Sequence, residues 1–474
     1  MGTAFEDHLN RPCGHQALAG SPHSGAAGGA ACGDLIRLSV ELAGERVARA
    51  GFDARGCGAA LAAGSAVVSL VEGARLVDAT RVTPADVAAE LGGLIPGKLH
   101  AAELAADALH RALGAAAAHG AATLAPAANR TLVAMSGGVD SAAAAQMALD
   151  GGDEVIAVTL ELWAHAENDG ERSCCSPSAV VGARALAHSM GVPHFTLDLR
   201  DEFRAAVVDD FLSEYESGRT PNPCVRCNGM VRFEGMLELA SRLGAARLAT
   251  GHYARIESDG EGLLVAVAAD ARKDQSYMLA RLSPEALARL SFPLGELDKS
   301  DVRALARAAG LPVADKRESQ DLCFLAGVGA REFLRRHGGP SRVGEIVDMD
   351  GRAVGRHAGQ REFTVGQRRG LGISGPDPLY VVAKDARAER VTVGPRSALA
   401  ARRVQVRDVC LHRPAGAVDQ VKLRYRQEPI PCRAVPRDHG ELELELGREA
   451  RAVAPGQTAC LMRGDAVLGA GTIS

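Results

Sequence analysis

The stretch TLVAMSGGVDSAAAAQMAL (residues 131–149) joins an apolar run, a glycine-rich turn and an alanine-rich segment. The run predicts a buried strand, and the segment after the turn predicts a helix that ends near Leu149. Glycines let backbone amides approach a phosphate closely, and a helix N-terminus adds the positive end of its dipole. The hydroxyls of Ser136 and Ser141 can donate to phosphate oxygens, and Asp140 suits a bridging Mg²⁺. The stretch therefore predicts a phosphate-binding loop between a strand and a helix, without the lysine of the G-x-x-x-x-G-K-[ST] pattern.

Strand-like and helical patterns alternate beyond this loop. The runs EVIAVTLEL (154–162), PHFTLDL (193–199) and ARLAT (246–250) are strand-like, and helical runs separate them. Repeated strand–helix units predict a doubly wound α/β domain with a parallel sheet. Beyond about residue 340, short alternating strands lie between turn residues, with a hairpin predicted around Asp350 and Gly351. The C-terminal third is therefore predicted to be all β.

The composition of the chain describes its cores, and the distribution of charge indicates possible partners. The 474 residues are 47% hydrophobic but only 3% aromatic, so the cores must consist mainly of alanine, valine and leucine. Residues 336–474 contain 23 basic and 16 acidic residues, a net charge of +7, whereas residues 130–335 contain 22 and 30, a net charge of −8. A basic end on an acidic body indicates either a polyanionic partner or an ordinary solvated surface.

The N-terminal residues and the cysteines indicate the cellular compartment in which the protein is expected. The N-terminal residues show no basic segment followed by an apolar one, and no run approaches the roughly 18 apolar residues that cross a bilayer. We expect a cytoplasmic protein with no membrane partner. Its 11 cysteines are then candidates for ligation or catalysis rather than for a disulfide framework.

The segment TPNPCVRCNG (220–229), which we expect to be a loop between two helices, places Cys224 and Cys227 three positions apart. This spacing alone allows metal ligands, a redox pair, or a sulfur nucleophile with a helper. Other cysteines, in strand-like patterns or as a vicinal pair before a helix, are interpreted as packing or structural residues: Cys174, Cys175, Cys410, Cys432 and Cys460.

Further motifs follow the phosphate-binding loop in a fixed order. They are GRTPNPCVRCN (218–228), ATGHYAR (249–255), KDQSYML (273–279), ESQDLCF (318–324), FTVGQRRGLGI (363–373) and RYRQ (424–427). Together with SGGVDS, they resemble the PP-loop ATP pyrophosphatases, and among these the bacterial tRNA-specific 2-thiouridylases of the MnmA type, from about residue 131 onward. The resemblance implies an enzyme that uses ATP and Mg²⁺ to adenylate O2 of the wobble uridine of tRNA and then replaces that oxygen with sulfur.

The resemblance also implies roles for individual residues. Cys227 matches the catalytic cysteine that carries a persulfide, and Cys323 matches a second catalytic cysteine that helps to release the sulfur and can form a disulfide with Cys227. The implied ATP-binding positions are Ala134, Met135, Ser136, Gly137, Gly138, Val139, Asp140, Ser141, Leu160 and Gly251. The implied contacts to the target base and to the tRNA are Asn222, Pro223, Cys224, His252, Lys273, Asp274, Gln275, Arg424, Tyr425 and Gln457.

Cys224 departs from the family pattern, because many members carry Asp at this position. Three cysteines, Cys224, Cys227 and Cys323, could instead hold a 4Fe–4S cluster with one open iron site. Zinc fits less well, because a structural zinc site needs four ligands and no fourth is evident. Persulfide chemistry and cluster chemistry both remain open at this point.

A second resemblance covers residues 4–112. FEDHLNRP (5–12), GAACGD (29–34), GFDARGCGAALAAGS (51–65) and GKLHAAELAADAL (97–109) resemble iron–sulfur scaffold proteins of the IscU/NifU type. The matching ligand positions are Cys32, Asp34, Cys57 and His100, but Ala101 stands where the family has its third cysteine. The remaining donors could hold Zn²⁺ or a labile iron–sulfur cluster. The domain is either a fused supply of sulfur or clusters, or a degenerate fold kept for docking.

We therefore predict a multidomain chain with the tRNA anticodon stem-loop as a partner and a cysteine desulfurase or sulfur-relay protein as sulfur donor. Two other functions are considered, a different PP-loop adenylating synthetase and a cluster scaffold or carrier fused to a PP-loop module. The predicted units are an α+β IscU/NifU-like domain (1–114), an alanine-rich linker (115–129), a Rossmann-like PP-loop domain (130–335), a central β-rich domain (336–398) and a C-terminal β-barrel (399–474).

Overall fold

The structure is a computed structural model that describes residues 3–29, 33–119, 123–163, 177–316, 322–325, 328–373 and 377–474. Three cysteines to which the sequence assigned roles, Cys32, Cys174 and Cys175, lie outside the described residues. Within these ranges, no helix combines the length and the apolar character that a bilayer crossing needs.

The N-terminal domain packs helices on one antiparallel sheet with the strand order β1-β2-β3. Helix α2 (Gly58–Val71) contains mostly alanine and valine, and ten of its residues are buried, because small side chains let the helix lie close to the sheet. The elements are α1 (Thr3–Asn10), β1 (Ser24–Gly28), β2 (Leu35–Ala43), β3 (Arg46–Arg55), α2 (Gly58–Val71), α3 (Leu76–Ala79), α4 (Pro84–Glu90) and α5 (Leu99–His119).

Helix α5 differs from the predicted linker over residues 115–129. The helix continues through His119, and the next strand already begins at Ala127. Alanine has the highest helix propensity, and Ala116 and Ala117 are fully buried. Residues 115–119 of the alanine-rich segment therefore belong to a packed helix, and residues 127–129 belong to β4.

The second domain has the predicted parallel sheet, with the strand order β10-β7-β4-β5-β6. The chain proceeds from β4 to one side through β5 and β6, and then returns to the other side of β4 with β7. In open parallel sheets, ligands bind at the carboxyl ends of strands at such a reversal. The strands are β4 (Ala127–Ala134), β5 (Glu154–Glu161), β6 (His194–Asp198), β7 (Ala245–Thr250), β8 (Arg255–Ser258), β9 (Leu263–Ala266) and β10 (Leu290–Ser291).

Nine α-helices of this domain lie in the described ranges. Two π-helical stretches, Arg204–Val208 and Asn228–Arg232, extend α8 and α10 into the helices that follow them. The helices are α6 (Val139–Asp150), α7 (Pro177–Ser189), α8 (Arg200–Phe203), α9 (Asp209–Glu216), α10 (Pro223–Cys227), α11 (Phe233–Arg242), α12 (Pro284–Leu287), α13 (Lys299–Ala308) and α14 (Gly329–His337).

The C-terminal third is all β, as predicted. The hairpin predicted around Asp350 and Gly351 is formed by the first two strands of a four-stranded sheet. This central domain contains β11 (Gly344–Val347), β12 (Ala353–His357), β13 (Tyr380–Asp385) and β14 (Arg390–Gly394), in the order β12-β11-β14-β13.

Six strands then close a barrel, because β15 pairs with both β18 and β20. The hairpin β8–β9 of the second domain extends the barrel sheet by pairing with β20. The sequence did not predict this pairing between domains. The barrel strands are β15 (Ala400–Leu411), β16 (Gln420–Lys422), β17 (Ile430–Pro436), β18 (Leu442–Arg451), β19 (Thr458–Arg463) and β20 (Ala466–Ile473).

Candidate active site

The phosphate-binding loop follows β4 and leads into α6, as predicted. The backbone N–H of Ser136 donates to Ser141 Oγ at 3.1 Å, the two serine hydroxyls lie 3.2 Å apart, and Ser141 Oγ donates to the Gly138 carbonyl at 3.1 Å. Met135 is tied to the neighbouring strand through its N–H, which donates to the Val158 carbonyl at 2.8 Å. The loop is thus braced at both ends beside a helix N-terminus, which suits anion binding.

Cationic and hydroxyl groups that the sequence did not single out surround this loop. Lys299 Nζ lies 2.5 and 2.7 Å from the two carboxylate oxygens of Asp140, and the Tyr253 hydroxyl donates to Asp140 Oδ1 at 2.9 Å. Lys316 Nζ donates to the Gly137 carbonyl at 2.9 Å. The lysines lie about 160 and 180 residues from the loop in sequence, so no local pattern could connect them to it. Tyr253 belongs to the ATGHYAR motif, and the resemblance implies no role for it.

The other predicted ATP positions lie at the carboxyl ends of the strands on either side of β4. Ala134 pairs with Val158 of β5 and with Thr250 of β7, so Leu160 and Gly251 follow at the same edge of the sheet. Gly251 lies so close to the loop that an added Cβ would lie 2.7 Å from the Ser141 nitrogen. A side chain at 251 would therefore displace the loop, which explains the need for glycine.

The predicted cysteine loop is instead the short helix α10. Asn222 caps it, with its side-chain oxygen accepting from the Val225 N–H at 3.3 Å, and Pro223 occupies the first turn. Asn before Pro is a favourable helix start, so the Pro-Asn-Pro segment begins a helix rather than a loop. Cys224 is half-buried, whereas Cys227 at the end of the helix is only 5% exposed.

Cys323 lies on the separate 3₁₀ turn Cys323–Leu325 and packs half-buried against the apolar cluster that includes Cys227. Across the described ranges, one group of three or more His, Cys, Asp or Glu residues has its ligand atoms within 4.8 Å of one another, and that group lies in the N-terminal domain. Cys224, Cys227 and Cys323 form no such group. Cysteines that bind different irons of a 4Fe–4S cluster lie further apart than the donors of a single ion, so the 4Fe–4S ligand set stays a prediction.

The predicted tRNA contacts fall into two sets. The first faces open cavities beside the cysteine helix: Gln457 Nε2 donates to the carbonyls of Thr220 and Pro221 at 2.7 and 3.3 Å, and Arg424 lines the same cavity of about 440 Å³. Arg424 also lines a neighbouring cavity of about 590 Å³, together with Arg426, Gln427, Arg448, Glu449 and Arg451. Four arginines therefore surround one cavity, and arginine is a side chain that binds phosphate groups well.

The second set includes a bond between two domains. Asp274 is buried, accepts from Lys422 Nζ of the barrel at 2.9 Å and also binds Ser276. The Gln275 side-chain oxygen accepts from the Tyr253 N–H at 2.9 Å. A buried, ion-paired carboxylate does not face a tRNA, so the contact implied for Asp274 is better explained as an interdomain bond. Lys273 is half-exposed, and the Tyr425 ring lies 6.2 Å from that of Tyr277.

His252 lies between aromatic rings at the end of β7. Its ring centroid is 5.6 Å from that of Phe233 and 6.1 Å from that of Phe292, and its Nδ1 lies 2.7 Å from Thr250 Oγ1. Burial, and then the nearby positive charge of Arg232, lower the pKa of His252 to about 3. The imidazole is therefore neutral at physiological pH and offers no positive charge to a phosphate.

The ligand cluster of the N-terminal domain consists of Asp34, Cys57 and His100. Asp34 Oδ1 accepts from the Cys57 N–H at 2.8 Å, and its Oδ2 lies 3.2 Å from Cys57 Sγ and 2.9 Å from His100 Nε2. Burial raises the pKa of Asp34, but the hydrogen bonds from Cys57 and His100 outweigh it and hold the pKa below its usual range. A thiol, a carboxylate and an imidazole at these distances fit Zn²⁺. Ala101 is fully buried and supplies no ligand.

Four family models match successive parts of the chain. They are a NifU-like N-terminal domain (residues 5–120), a tRNA methyl transferase HUP domain (129–327), a tRNA methyl transferase PRC-barrel domain (331–395) and an aminomethyltransferase beta-barrel domain (412–473). Fold, site and these matches define an α/β enzyme of the HUP class that carries a NifU-like domain and two β domains.

Three similar proteins show which family within this class the chain belongs to. The bifunctional protein NifU/MnmA of Rubrobacter xylanophilus is 44% identical over an alignment that covers 100% of this chain and 98% of that protein. The tRNA-specific 2-thiouridylase MnmA of Geobacter metallireducens is 44% identical over 73% of this chain and 96% of its own, and that of Chloroflexus aurantiacus is 45% identical over 72% and 98%. The chain belongs to the bifunctional NifU/MnmA family, which confirms both resemblances predicted from the sequence.

Proposed function

We propose that this chain is a tRNA-uridine 2-sulfurtransferase that thiolates the wobble uridine at the expense of ATP. The observation that carries the proposal is a chain of hydrogen bonds between the cysteine helix and the phosphate-binding loop. Asn228, next to Cys227, donates through Nδ2 to the Met278 carbonyl at 3.1 Å, and the Met278 N–H donates to the Gln275 carbonyl at 2.9 Å. Gln275 bonds to Tyr253, whose hydroxyl donates to Asp140. Residues 275–278 thus connect the two reaction centres.

The chemistry has two steps. O2 of the uridine attacks the α-phosphorus of ATP, pyrophosphate leaves, and the resulting O-adenylate turns that oxygen into a leaving group. The terminal sulfur of a Cys227 persulfide then attacks C2, and AMP departs with the oxygen. Attack of the Cys323 thiolate on the Cys227 sulfur breaks the S–S bond, leaves sulfur on C2 and forms a Cys227–Cys323 disulfide, which a thiol must reduce before the next turnover.

The residues around the loop match the first step. Mg²⁺, when bound with ATP, neutralises developing phosphate charge, and Asp140 is the carboxylate placed to hold it. Ser136, Ser141 and the N-terminus of α6 bind phosphate oxygens, and Lys299 and Lys316 supply positive charge beside them. Leu160 and Gly251 border the space for the adenosine.

The arginines around the two cavities match the tRNA. Arg424, Arg426, Arg448 and Arg451 line one cavity, and Arg424 also lines the second cavity with Thr220, which lies three residues before the cysteine helix. The C-terminal third carries a net charge of +7. Phosphate contacts of this kind position an anticodon stem-loop, whose unpaired bases can be turned out toward an active site. A cytoplasmic location fits this substrate.

The N-terminal domain acts as a zinc-dependent docking site for the sulfur donor, a cysteine desulfurase or a sulfur-relay protein. The trio Asp34, Cys57 and His100 supports metal binding, while Ala101 removes the third cysteine that cluster assembly uses in the scaffold family. The domain therefore keeps a ligand set for one ion rather than for the assembly of an iron–sulfur cluster.

Replacing the nucleophile gives the decisive test. We expect Cys227→Ala to reduce formation of 2-thiouridine by about 10³-fold or more, because no other group carries the sulfur. The measurement is nucleoside mass spectrometry of tRNA after reaction with ATP and polysulfide, whose sulfane sulfur the Cys227 thiolate takes up to form the persulfide. The matched control is Cys432→Ala in the barrel, since burial raises the pKa of Cys432 to about 12 and keeps that thiol protonated.

The same preparations separate the two sulfur carriers. Sulfane sulfur on Cys227, with no iron in the oxygen-free protein, supports the persulfide. About four irons per chain that disappear in Cys224→Ala would instead show a cluster. Full thiolation by Cys227→Ala would contradict both mechanisms.

A further inference from the structure

Helix α5 of the N-terminal domain contains residues that face two different sites. His100, a member of the metal-ligand trio, is its second residue, and Arg111 lies eleven residues further along. At a rise of about 1.5 Å per residue, these positions are about 16 Å apart along one rigid helix.

Arg111 leaves its own domain to contact the end of β5. Its Nη1 donates to Glu161 Oε2 at 2.7 Å and its Nε donates to Asp107 Oδ2 at 2.9 Å, while Asp107 Oδ1 also accepts from Arg184 of α7. Glu161 is only 4% exposed. Burial lowers the pKa of Arg111, but the carboxylates of Asp107 and Glu161 outweigh it and raise that pKa above its usual value. The contact is a buried ion pair between two domains.

Close packing fixes this helix on the sheet. At Gly114, an added Cβ would lie 1.9 Å from the Thr196 carbonyl oxygen of β6, so the helix backbone rests directly on the strand. His188 of α7 adds a second interdomain bond, with Nε2 2.9 Å from the Thr80 carbonyl oxygen of the N-terminal domain. Arg111 is therefore presented to Glu161 by a rigid support.

Glu161 occupies a position next to the nucleotide site. It is the last residue of β5 and directly follows Leu160, and its carbonyl accepts from the Leu199 N–H at 2.9 Å. β5 pairs with β4, whose end leads into the phosphate-binding loop. Losing Arg111 would leave a nearly buried carboxylate without this charge partner, which forces the strand end to rearrange or take up a proton.

We propose that Arg111 is a positioning residue, supplied by the N-terminal domain, that holds Glu161 and thereby the end of β5 at the nucleotide site. The inference rests on the ATP use proposed above. It makes the N-terminal domain a structural part of that site as well as a docking module.

The test is calorimetric titration of the full chain with ATP in Mg²⁺. We expect Arg111→Met to weaken ATP binding by about five- to tenfold, which corresponds to about 1–1.4 kcal/mol of coupling. Arg111→Lys should recover part of that loss. The double variant Arg111→Met with Glu161→Gln should bind ATP within about threefold of wild type, since no buried charge is left uncompensated.

Two controls separate positioning from general loosening. His188→Ala removes an interdomain bond that does not involve Glu161, and Arg49→Met removes an exposed pair with Glu41. Both should leave the ATP affinity unchanged, although His188→Ala should lower the melting temperature. If His188→Ala weakens ATP binding as much as Arg111→Met, or if the double variant is not rescued, the inference fails. If the wild-type chain binds no ATP, the proposed function fails instead.

Discussion

Two carboxylates of this chain, Asp34 and Asp140, are candidate metal ligands, and different groups already surround them. Asp34 lies 3.2 Å from a thiol and 2.9 Å from an imidazole, both of which are themselves metal ligands. Asp140 lies 2.5 and 2.7 Å from an ammonium group, Lys299 Nζ. The first carboxylate therefore belongs to a ligand set, and the second is already paired with a cation.

This difference implies different ligands. A bare Zn²⁺ can bind at Asp34, because the thiol and the imidazole beside this carboxylate are donors that zinc uses. Mg²⁺ must compete with Lys299 at Asp140, and it can do so when ATP brings negative charge that attracts the lysine. Under the proposed function, the N-terminal site would bind an ion alone, whereas the phosphate-binding loop would bind an ion together with its nucleotide.

The largest expected effect comes from Asp140→Asn. We expect kcat/KM for ATP to fall by about 10²–10³-fold, because the variant loses the charge that holds Mg²⁺ near the developing phosphate charge. Zinc content should stay as in the wild type. Steady-state pyrophosphate release gives the rate, and Asp150→Asn, an exposed change at the end of the same helix, is the control. Unchanged kcat/KM would remove Asp140 from the reaction.

Next in size is the effect of Asp34→Asn on zinc. We expect Zn²⁺ affinity to fall by about 100-fold, measured by competition with a chromophoric chelator, because an amide replaces the anionic ligand. Thiolation with a cysteine desulfurase and cysteine should fall with it, whereas thiolation with polysulfide, which needs no docked protein, should not. Asp53→Asn on the exposed side of β3 is the matched control. A loss with polysulfide as well would show damage to the fold rather than to docking.

A smaller and opposite pair of effects is expected for Lys299→Met. Without the lysine, Mn²⁺ used as a probe for Mg²⁺ should bind about tenfold more tightly in the absence of ATP, since a competing charge is gone. Turnover of Mg·ATP should fall by about tenfold, because a phosphate partner is gone as well. Electron paramagnetic resonance of Mn²⁺ measures the first and pyrophosphate release the second. Equal Mn²⁺ affinity in both proteins would refute the competition.

The smallest effect is expected for His252, whose imidazole is neutral, in contrast to the charged carboxylates at the two candidate metal sites. We expect His252→Gln to change tRNA affinity by less than about threefold and to leave its salt dependence unchanged, because a neutral imidazole releases no counterion. Nitrocellulose filter binding at several salt concentrations tests this. A shallower salt dependence would show that the ring is protonated on the tRNA.

The same histidine makes stability depend on pH in a known direction. Its pKa is about 3 in the folded chain and about 6.5 when unfolded, so the unfolded state binds more protons between these values. The free energy of unfolding should therefore fall as pH is lowered through this window, by up to about 1.4 kcal/mol per pH unit from this residue. His252→Gln should remove that part of the fall in urea titrations at pH 7 and pH 5.

The sequence predicted those features that local patterns encode. The phosphate-binding loop, the parallel sheet around it, the hairpin at Asp350 and Gly351 and the all-β end follow from hydrophobic period and turn residues within a few positions. The two family resemblances could be recognised from the sequence because their motifs are local as well.

Features built from distant residues could not be predicted in this way. Lys299 and Lys316 reach the loop from more than 150 residues away, and β9 pairs with β20 of the barrel, which comes about 200 residues later. The cysteine segment was misjudged for a different reason, since Asn222 and Pro223 begin a helix of only five residues. The assignments of single ATP and tRNA contacts stay predictions.

The contact between α5 and β6 has a consequence for biosynthesis. The helix ends at His119, but the strand on which it rests begins about 75 residues later at His194. At about 5–20 residues per second, the ribosome needs about 4–15 s to deliver that strand. During this interval the alanine-rich face of α5 is exposed on the nascent N-terminal domain. Chaperones can therefore bind this surface before β6 covers it.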